Sequence, residues 1–396
     1  MDVLSSKVSR RLLVALLHLS IWLGAFLLIT NLQSSWQLQG PHGPYPWVGM
    51  DFAPYWVGAR EALHGHSPYR PATLYQIQEV VYGGPAGLED PMMFMYPGWI
   101  IVLVAPFTVF PYPLAATVYI ATLLWAVLLI LAALVPTPWQ DRRSFFWLAV
   151  LLVGSLPFLV ISVTKGQLGY WSLIALFMAH RSWQRRRDFL AGVFLALALL
   201  KPTTILLPTF GFLFFALHRK RWALLKGFAI TLATLLSLSI LVAGYWVPDY
   251  LHVLRAKGGQ PVLWSLTILP FPWNVLWGGY FLGLLAITIF RAFHGHKERW
   301  FASFILAGMA LTPIRWIYDL FIGVLLLAEY KPSSSWRDAL VSIAVLAPWL
   351  GIFIPPPWRW HTLLVGLPLI WSIATQAAIL PTSIFTPPTS SKNAIP

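Results

Sequence analysis

The strongest constraint on this chain is a series of apolar segments that carry few or no ionised side chains. Residues 114–135, LAATVYIATLLWAVLLILAALV, are the clearest example. About 20 such residues match the hydrocarbon thickness of a bilayer, where a helix satisfies its own backbone. The same reading gives twelve candidate crossings: residues 11–30, 114–135, 145–163, 168–182, 189–200, 202–217, 223–243, 273–292, 300–312, 316–330, 339–354 and 362–380. Composition agrees, with 58% hydrophobic and 10% charged residues, against about a quarter charged in a soluble domain. These proportions exclude a soluble globular enzyme and a disordered chain. The expected fold class is all-α, a polytopic membrane protein of about 12 transmembrane helices. Residues 1–380 are expected to form a single domain, and the Pro/Ser/Thr-rich residues 381–396 a disordered tail. The first apolar segment has no small-residue cleavage site after it, so it reads as a retained span.

Charge placement gives the orientation. With the N-terminus inside, the inner segments hold 19 of the 27 basic residues and six of the 13 acids. The outer segments keep eight basic residues and seven acids. The net charge of +14 is therefore an orientation signal of the inner loops, and no nucleic-acid partner is expected. The chain is expected in the cell membrane, with both termini cytoplasmic. Residues 96–112 break the alternation; Pro106 and Pro111 interrupt them and Pro113 follows directly. They are expected to form a re-entrant or interfacial helix. The absence of Cys excludes disulfides, thiolate metal sites and Cys nucleophiles.

The longest polar stretch is the first outer loop, residues 31–95, which holds Asp51, Glu61, Glu79, Glu89 and Asp90. From Phe52 the apolar positions recur as Tyr55, Trp56, Ala59 and Leu63, which is helical spacing, and Gly65 stops the run. A second helix is predicted over Thr73–Tyr82, ended by Gly83-Gly84. Both are expected to be amphipathic helices at the outer interface. Asp51 stands at the start of the first. It is either an N-cap or a general base whose pKa is raised by partial burial. His64 and His66 are two residues apart with no third ligand, so they read as loop histidines, and no metal or cofactor is expected.

Isolated charges beside spans are costly, roughly 2.5–3.5 kcal/mol at a helix centre. The outer side carries Lys165-Gly166-Gln167, Lys201-Pro202, a loop with Asp249, Arg255 and Lys257, and Arg315-Trp316-Ile317-Tyr318-Asp319. Snorkelling explains any one of these cations. Together they suit a lipid-linked phosphate, with cations on the phosphate and a carboxylate handling protons. No GxGxxG, P-loop, HExxH or GxSxG motif is present in a suitable context. A transporter or flippase of lipid-linked saccharides, or a glycan polymerase or ligase, remains an alternative.

The run Asp51-Phe52, Tyr55-Trp56, Gly58-Ala59, Gly65 and Pro68-Tyr69 resembles the first outer loop of glycosyltransferase family 87. Tyr96-Pro97, Gly166-Gln167, Lys201-Pro202, Thr312-Pro313 and Tyr318-Asp319 follow in the family's order. The similarity spans about residues 11–330. It implies a GT-C fold and an inverting transfer on the outer face. The donor would be a polyprenyl-phosphate sugar, with mannose expected, and the acceptor a lipid or glycan hydroxyl. The resemblance gives Asp51 the role of general base. Lys201, Arg255, Lys257 and Arg315 become candidates for the donor phosphate. Tyr55, Trp56, Asp90, Tyr96, Gln167, Tyr318 and Asp319 become candidates for substrate contact.

Overall fold

The hydropathy pattern recurs as helices in a computed structural model of the protein. The model describes residues 2–40, 42–86, 92–135, 142–256, 269–293, 300–311, 317–329, 335–349 and 365–373. The chain divides into two units: residues 1–133, 156–263 and 314–319 form one, and the rest forms the other.

In the first unit, α1 (Asp2–Ser35) runs antiparallel to α5 (Tyr112–Ala133). Trp22 donates to Thr122 at 3.1 Å, and Gln33 at the far end donates to the Pro113 carbonyl at 3.2 Å. Between these two helices lies the outer loop. It opens with a hairpin that the sequence did not announce, β1 (Gln37–Gly40) paired antiparallel with β2 (Gly43–Pro46). Then come α2 (Ala53–Leu63) and α3 (Pro71–Tyr82), both within two residues of the predicted positions. Gly83 ends α3 in the left-handed conformation, φ 73°, as glycine permits. Glu61 at the end of α2 accepts from His66 Nδ1 at 3.2 Å and Arg70 at 3.3 Å, fixing the turn between the helices.

One expectation needs correcting here. α2 does not lie on a surface: Ala53 to Ala59, Glu61 and Ala62 are all buried. Its spacing is amphipathic by composition, but protein covers its other faces too. α3 keeps one covered face, through Leu74, Ile77 and Val81.

The Trp99–Val109 segment is a six-residue α4 (Trp99–Val104) continued as a 3-10 turn (Ala105–Val109). Pro106 ends the α-helical part, because it has no N–H to continue the ladder. α6 (Arg142–Phe158) begins in the second unit, to which residues 134–155 belong, and its last residues continue in the first as a π turn at Leu159–Val163, beside Pro157. α7 (Gly169–Gln184), α8 (Asp188–Ala198), α9 (Pro202–His218), α10 (Trp222–Ala243) and α11 (Val247–Ala256) complete the unit. α8 and α10 run parallel and almost touch. A Cβ on Gly192 would meet the Leu224 carbonyl, and one on Gly227 the Phe189 carbonyl, so both positions need the missing side chain.

In the second unit, α12 (Trp273–Phe293) packs on α13 (Trp300–Leu311). Trp277 donates to the Ala310 carbonyl at 3.4 Å, and Thr288 to Ser303 at 2.8 Å. α13 is covered on every side from Trp300 to Ala310. Residues Ile317–Glu329, predicted as an ordinary span, form a 13-residue 3-10 helix. At about 2 Å per residue it reaches as far as a longer α-helix would. α14 (Ser335–Leu346) follows, and Trp349 donates to the Val153 carbonyl at 2.7 Å.

Among the described residues, five helices are long and apolar enough to cross a bilayer: Leu12–Ser35, Tyr112–Ala133, Phe145–Val163, Trp222–Ala243 and Trp273–Phe293. The expected count of twelve is not confirmed among the described residues. α8 has 11 residues, or about 16 Å of rise, against a core of about 30 Å. Pro202 starts a new helix rather than kinking a long one. The apolar faces of α1, α10 and α12 stay open, with Leu241 at 80% and Leu13 at 68% exposed. Such faces suit lipid and not water.

Candidate active site

Two glycine turns bring the outer loop against the turn that follows the π segment. Gly49 has φ 90° and Gly166 φ 84°, a region costly for residues with a Cβ. Gly49 N–H donates to the Thr164 carbonyl at 2.8 Å, and Asp51 N–H to the Lys165 carbonyl at 3.0 Å. Tyr112 adds a hydroxyl bond to the Gly49 carbonyl at 2.7 Å, and Trp47 donates to Thr164 Oγ1 at 3.2 Å. Gln167 N–H returns to the Ser162 carbonyl at 3.1 Å, which orients its side chain. The Gln167 amide then donates to Asp51 Oδ2.

Asp51 is not a helix cap. The residue at the head of α2 is Phe52, and no side-chain cap bond forms there. The carboxylate, partly buried, faces Gln167 and two cations instead. Burial pushes its pKa above the usual carboxylate value. The Lys165 charge, the Gln167 hydrogen bond and the Lys201 charge pull against that rise without cancelling it.

Each cation is held by its own surroundings. The Lys165 ammonium lies 3.9 Å above the Trp47 ring, which stacks on Trp36 at 5.8 Å. Lys201 is 8% exposed, and its backbone N–H donates to Ser172 Oγ at 2.9 Å at the head of α9. Aromatic residues close the remaining side. Phe52 stacks on Tyr119 at 4.3 Å, and Tyr55 donates to Tyr96 Oη at 3.1 Å. Burial above all, then the neighbouring Tyr96, Tyr119 and Asp51, hold the Tyr55 phenol neutral, far above its ordinary pKa.

The structure therefore brings together Asp51, Tyr55, Tyr96, Gln167 and Lys201 from the sequence-predicted set. Trp56 is buried nearby, but its indole N–H donates to the Phe107 carbonyl at 3.2 Å. Arg255 is exposed on the last turn of α11. That helix docks on the outer loop, where Ser67 donates to Asp249 at 2.7 Å and the Tyr69 ring lies 6.0 Å from the Tyr250 ring. Asp90, Lys257 and Arg315 lie outside the described residues, as do the side chains of Tyr318 and Asp319. His64 and His66 bond locally, to the Arg60 carbonyl at 2.7 Å and to Glu61.

Lys165 is the residue that sequence reasoning underrated. It was noted as part of a polar turn but not placed with the phosphate-binding cations. Its signal was a Lys-Gly-Gln triplet wedged between two apolar segments. The same triplet supplies the backbone carbonyl, the charge and the amide around Asp51.

A largely helical protein with a partly buried carboxylate, two lysines and an aromatic wall gathered around one outer loop has the makings of a transferase site. The chain belongs to glycosyltransferase family 87, whose sequence model matches residues 94–319. Lys165, Gln167 and Lys201 fall inside the match; Asp51 precedes it. No curated protein and no solved structure matches the chain.

Proposed function

We propose that this glycosyltransferase moves a sugar, with mannose the expected one, from a polyprenyl-phosphate donor to a lipid or glycan hydroxyl at the outer membrane face. The observation that carries this reading is the Asp51 carboxylate, set by Gln167 and flanked by Lys165 and Lys201.

In the proposed reaction the acceptor oxygen attacks the anomeric carbon on the face opposite the phosphate. The bond from that carbon to the phosphate oxygen breaks, so configuration inverts. The acceptor proton passes to an Asp51 oxygen, and the polyprenyl phosphate leaves with the bonding electron pair. Burial suits Asp51 to this work, because a carboxylate with a raised pKa binds the incoming proton more tightly. The departing phosphate needs charge neutralisation more than a proton, and Lys165 and Lys201 supply it. Arg255 is proposed as a further phosphate contact on α11. Trp56 is assigned to packing, since its indole N–H is already bonded. The short Trp99–Val109 segment is proposed to enter the membrane without crossing it.

The test is transfer itself. Membranes carrying the protein are incubated with radiolabelled polyprenyl-phosphate mannose and a panel of lipid and glycan acceptors. Label should move to at least one acceptor, and Asp51→Asn should abolish it. Undiminished transfer by Asp51→Asn would remove Asp51 as base, and no transfer to any acceptor would count against the reading. For the orientation, the Cys-free chain allows single-site labelling. An impermeant thiol reagent added outside should reach Gly258→Cys and not Ser334→Cys.

A further inference from the structure

Away from the Asp51 site, the α7–α8 and α9–α10 connections have the same build. Each is a three-residue basic turn: Arg185-Arg186-Arg187 and Arg219-Lys220-Arg221. In the first, Arg186 N–H donates to the Trp183 carbonyl at 3.1 Å and Arg187 N–H to the Ser182 carbonyl at 2.9 Å. In the second, Lys220 N–H donates to the Leu217 carbonyl at 3.1 Å and Arg221 N–H to the Ala216 carbonyl at 2.7 Å. This crossed pair of bonds ends a helix with its middle residue in the left-handed region, where glycine is the usual occupant. Here that residue is Arg186, φ 60°, and Lys220, φ 53°. Both turns thus place a long cation where the backbone favours no side chain at all.

The parallel packing of α8 on α10 sets the two turns side by side. Arg221 joins them: it meets Asp188 at 3.1 Å, donates to the Trp183 carbonyl at 3.3 Å and lies 3.8 Å over the Trp183 ring. Arg221 is thereby committed to the fold. Arg185, Arg186, Arg187, Arg219 and Lys220 remain exposed, with Asp188 the acid that faces them among the described residues. Burial and mutual repulsion show on the Arg219 guanidinium, whose pKa is lowered by desolvation and then by the Arg186 charge. Exposed apolar side chains border the cluster: Phe189 at 49%, Leu217 at 56% and Trp222 at 55%. A cationic patch rimmed by Trp and Phe matches a phosphate at the membrane surface with acyl chains beside it.

We propose that the two matched basic turns form a binding site for the phosphate headgroup of an anionic phospholipid. Position alone, as an orientation signal, asks only for positive charge in a loop. It does not ask for cations at two left-handed positions, on turns of identical hydrogen bonding, brought together by packed helices. The inference is independent of the sugar-transfer reading.

The test uses the full-length protein in neutral detergent, with phosphatidylglycerol, phosphatidylcholine or inorganic phosphate added, and bound lipid counted by native mass spectrometry. Phosphatidylglycerol should be retained and phosphatidylcholine should not. The double variant Arg186→Gly/Lys220→Gly should lose about thirtyfold in affinity, from about 1 kcal/mol per basic residue at a membrane surface. Glycine suits both backbone positions, so its unfolding temperature without lipid should hold or rise, which separates lost binding from lost folding. A second pair, Arg185→Gln/Arg219→Gln, should weaken retention likewise. Equal retention by parent and variants would overturn the proposal. Inorganic phosphate binding as tightly as phosphatidylglycerol would overturn the lipid assignment.

Discussion

Asp51 and Asp188 both sit at the start of a helix, one just ahead of α2 and the other on the first residue of α8, yet their surroundings differ in kind. Asp188 opens α8 and meets Arg221 at 3.1 Å, with the guanidinium clamped on Trp183. Asp51 takes an amide from Gln167, feels Lys165 and Lys201 as nearby charges, and has its pKa raised by burial. A carboxylate in a direct charge pair holds two chain segments together. A carboxylate kept from full compensation is ready to accept a proton. The difference separates a tie in the fold from a candidate base.

The contrast breaks most sharply at Asp51. Asp51→Asn should cut transfer by about 10²–10⁴-fold, the range for losing a general base. Its effect on stability should have the opposite sign. A carboxylate whose folded-state pKa is raised holds its proton more tightly when folded, so above that pKa the ionised group weakens the fold. The amide removes that cost, and thermal unfolding of the purified variant should occur at the same or a higher temperature.

Asp188→Asn and Arg221→Met should do the reverse. Removing one partner of this largely buried pair should destabilise by about 3 kcal/mol. The loss would be seen as a lower unfolding temperature and lower membrane abundance, with transfer per folded molecule retained. Transfer lost while stability is kept would erase the distinction between the two carboxylates.

Gly166→Ala sits between these cases. Its φ of 84° disfavours a Cβ, which would also lie 2.9 Å from the Phe52 Cβ. A cost of about 1–2 kcal/mol is expected, together with reduced transfer, because the turn carries both Lys165 and Gln167. The smallest effect is expected from Gln167→Leu. The lost hydrogen bond favours the ionised form, so removing it should raise the Asp51 pKa further. The acid limb of the pH–rate profile should move to higher pH, since activity is lost as pH falls through the Asp51 pKa.

Much of this was legible from residues. The apolar runs at 114–135, 223–243 and 273–292 became α5, α10 and α12, because a long apolar segment in lipid has few options besides a helix. α2 and α3 were readable from their spacing and from Gly65 and Gly83. The hairpin at Gln37–Pro46 was not, since four-residue strands carry too little pattern. The 3-10 form of Ile317–Glu329 was hidden too, because its apolar content fits either helix. Asp51 was readable as a suspect but not as a base over a cap. Position before a helix is the same in both cases, and only its side-chain partner distinguishes them.

The sequence by itself determined that the chain is built of apolar, membrane-length helices, where the longest of them run and which family it joins. These follow from properties each segment carries alone: apolarity, length and motif order. The tertiary structure decided which polar residues meet. Asp51 and Gln167 are 116 positions apart, and Arg221 and Asp188 stand at the starts of different helices. Two aspartates with similar places in the sequence acquired different chemistry because one was folded against an arginine and the other against an amide and two distant cations. Charge and burial act through space, and spacing along the chain does not record them.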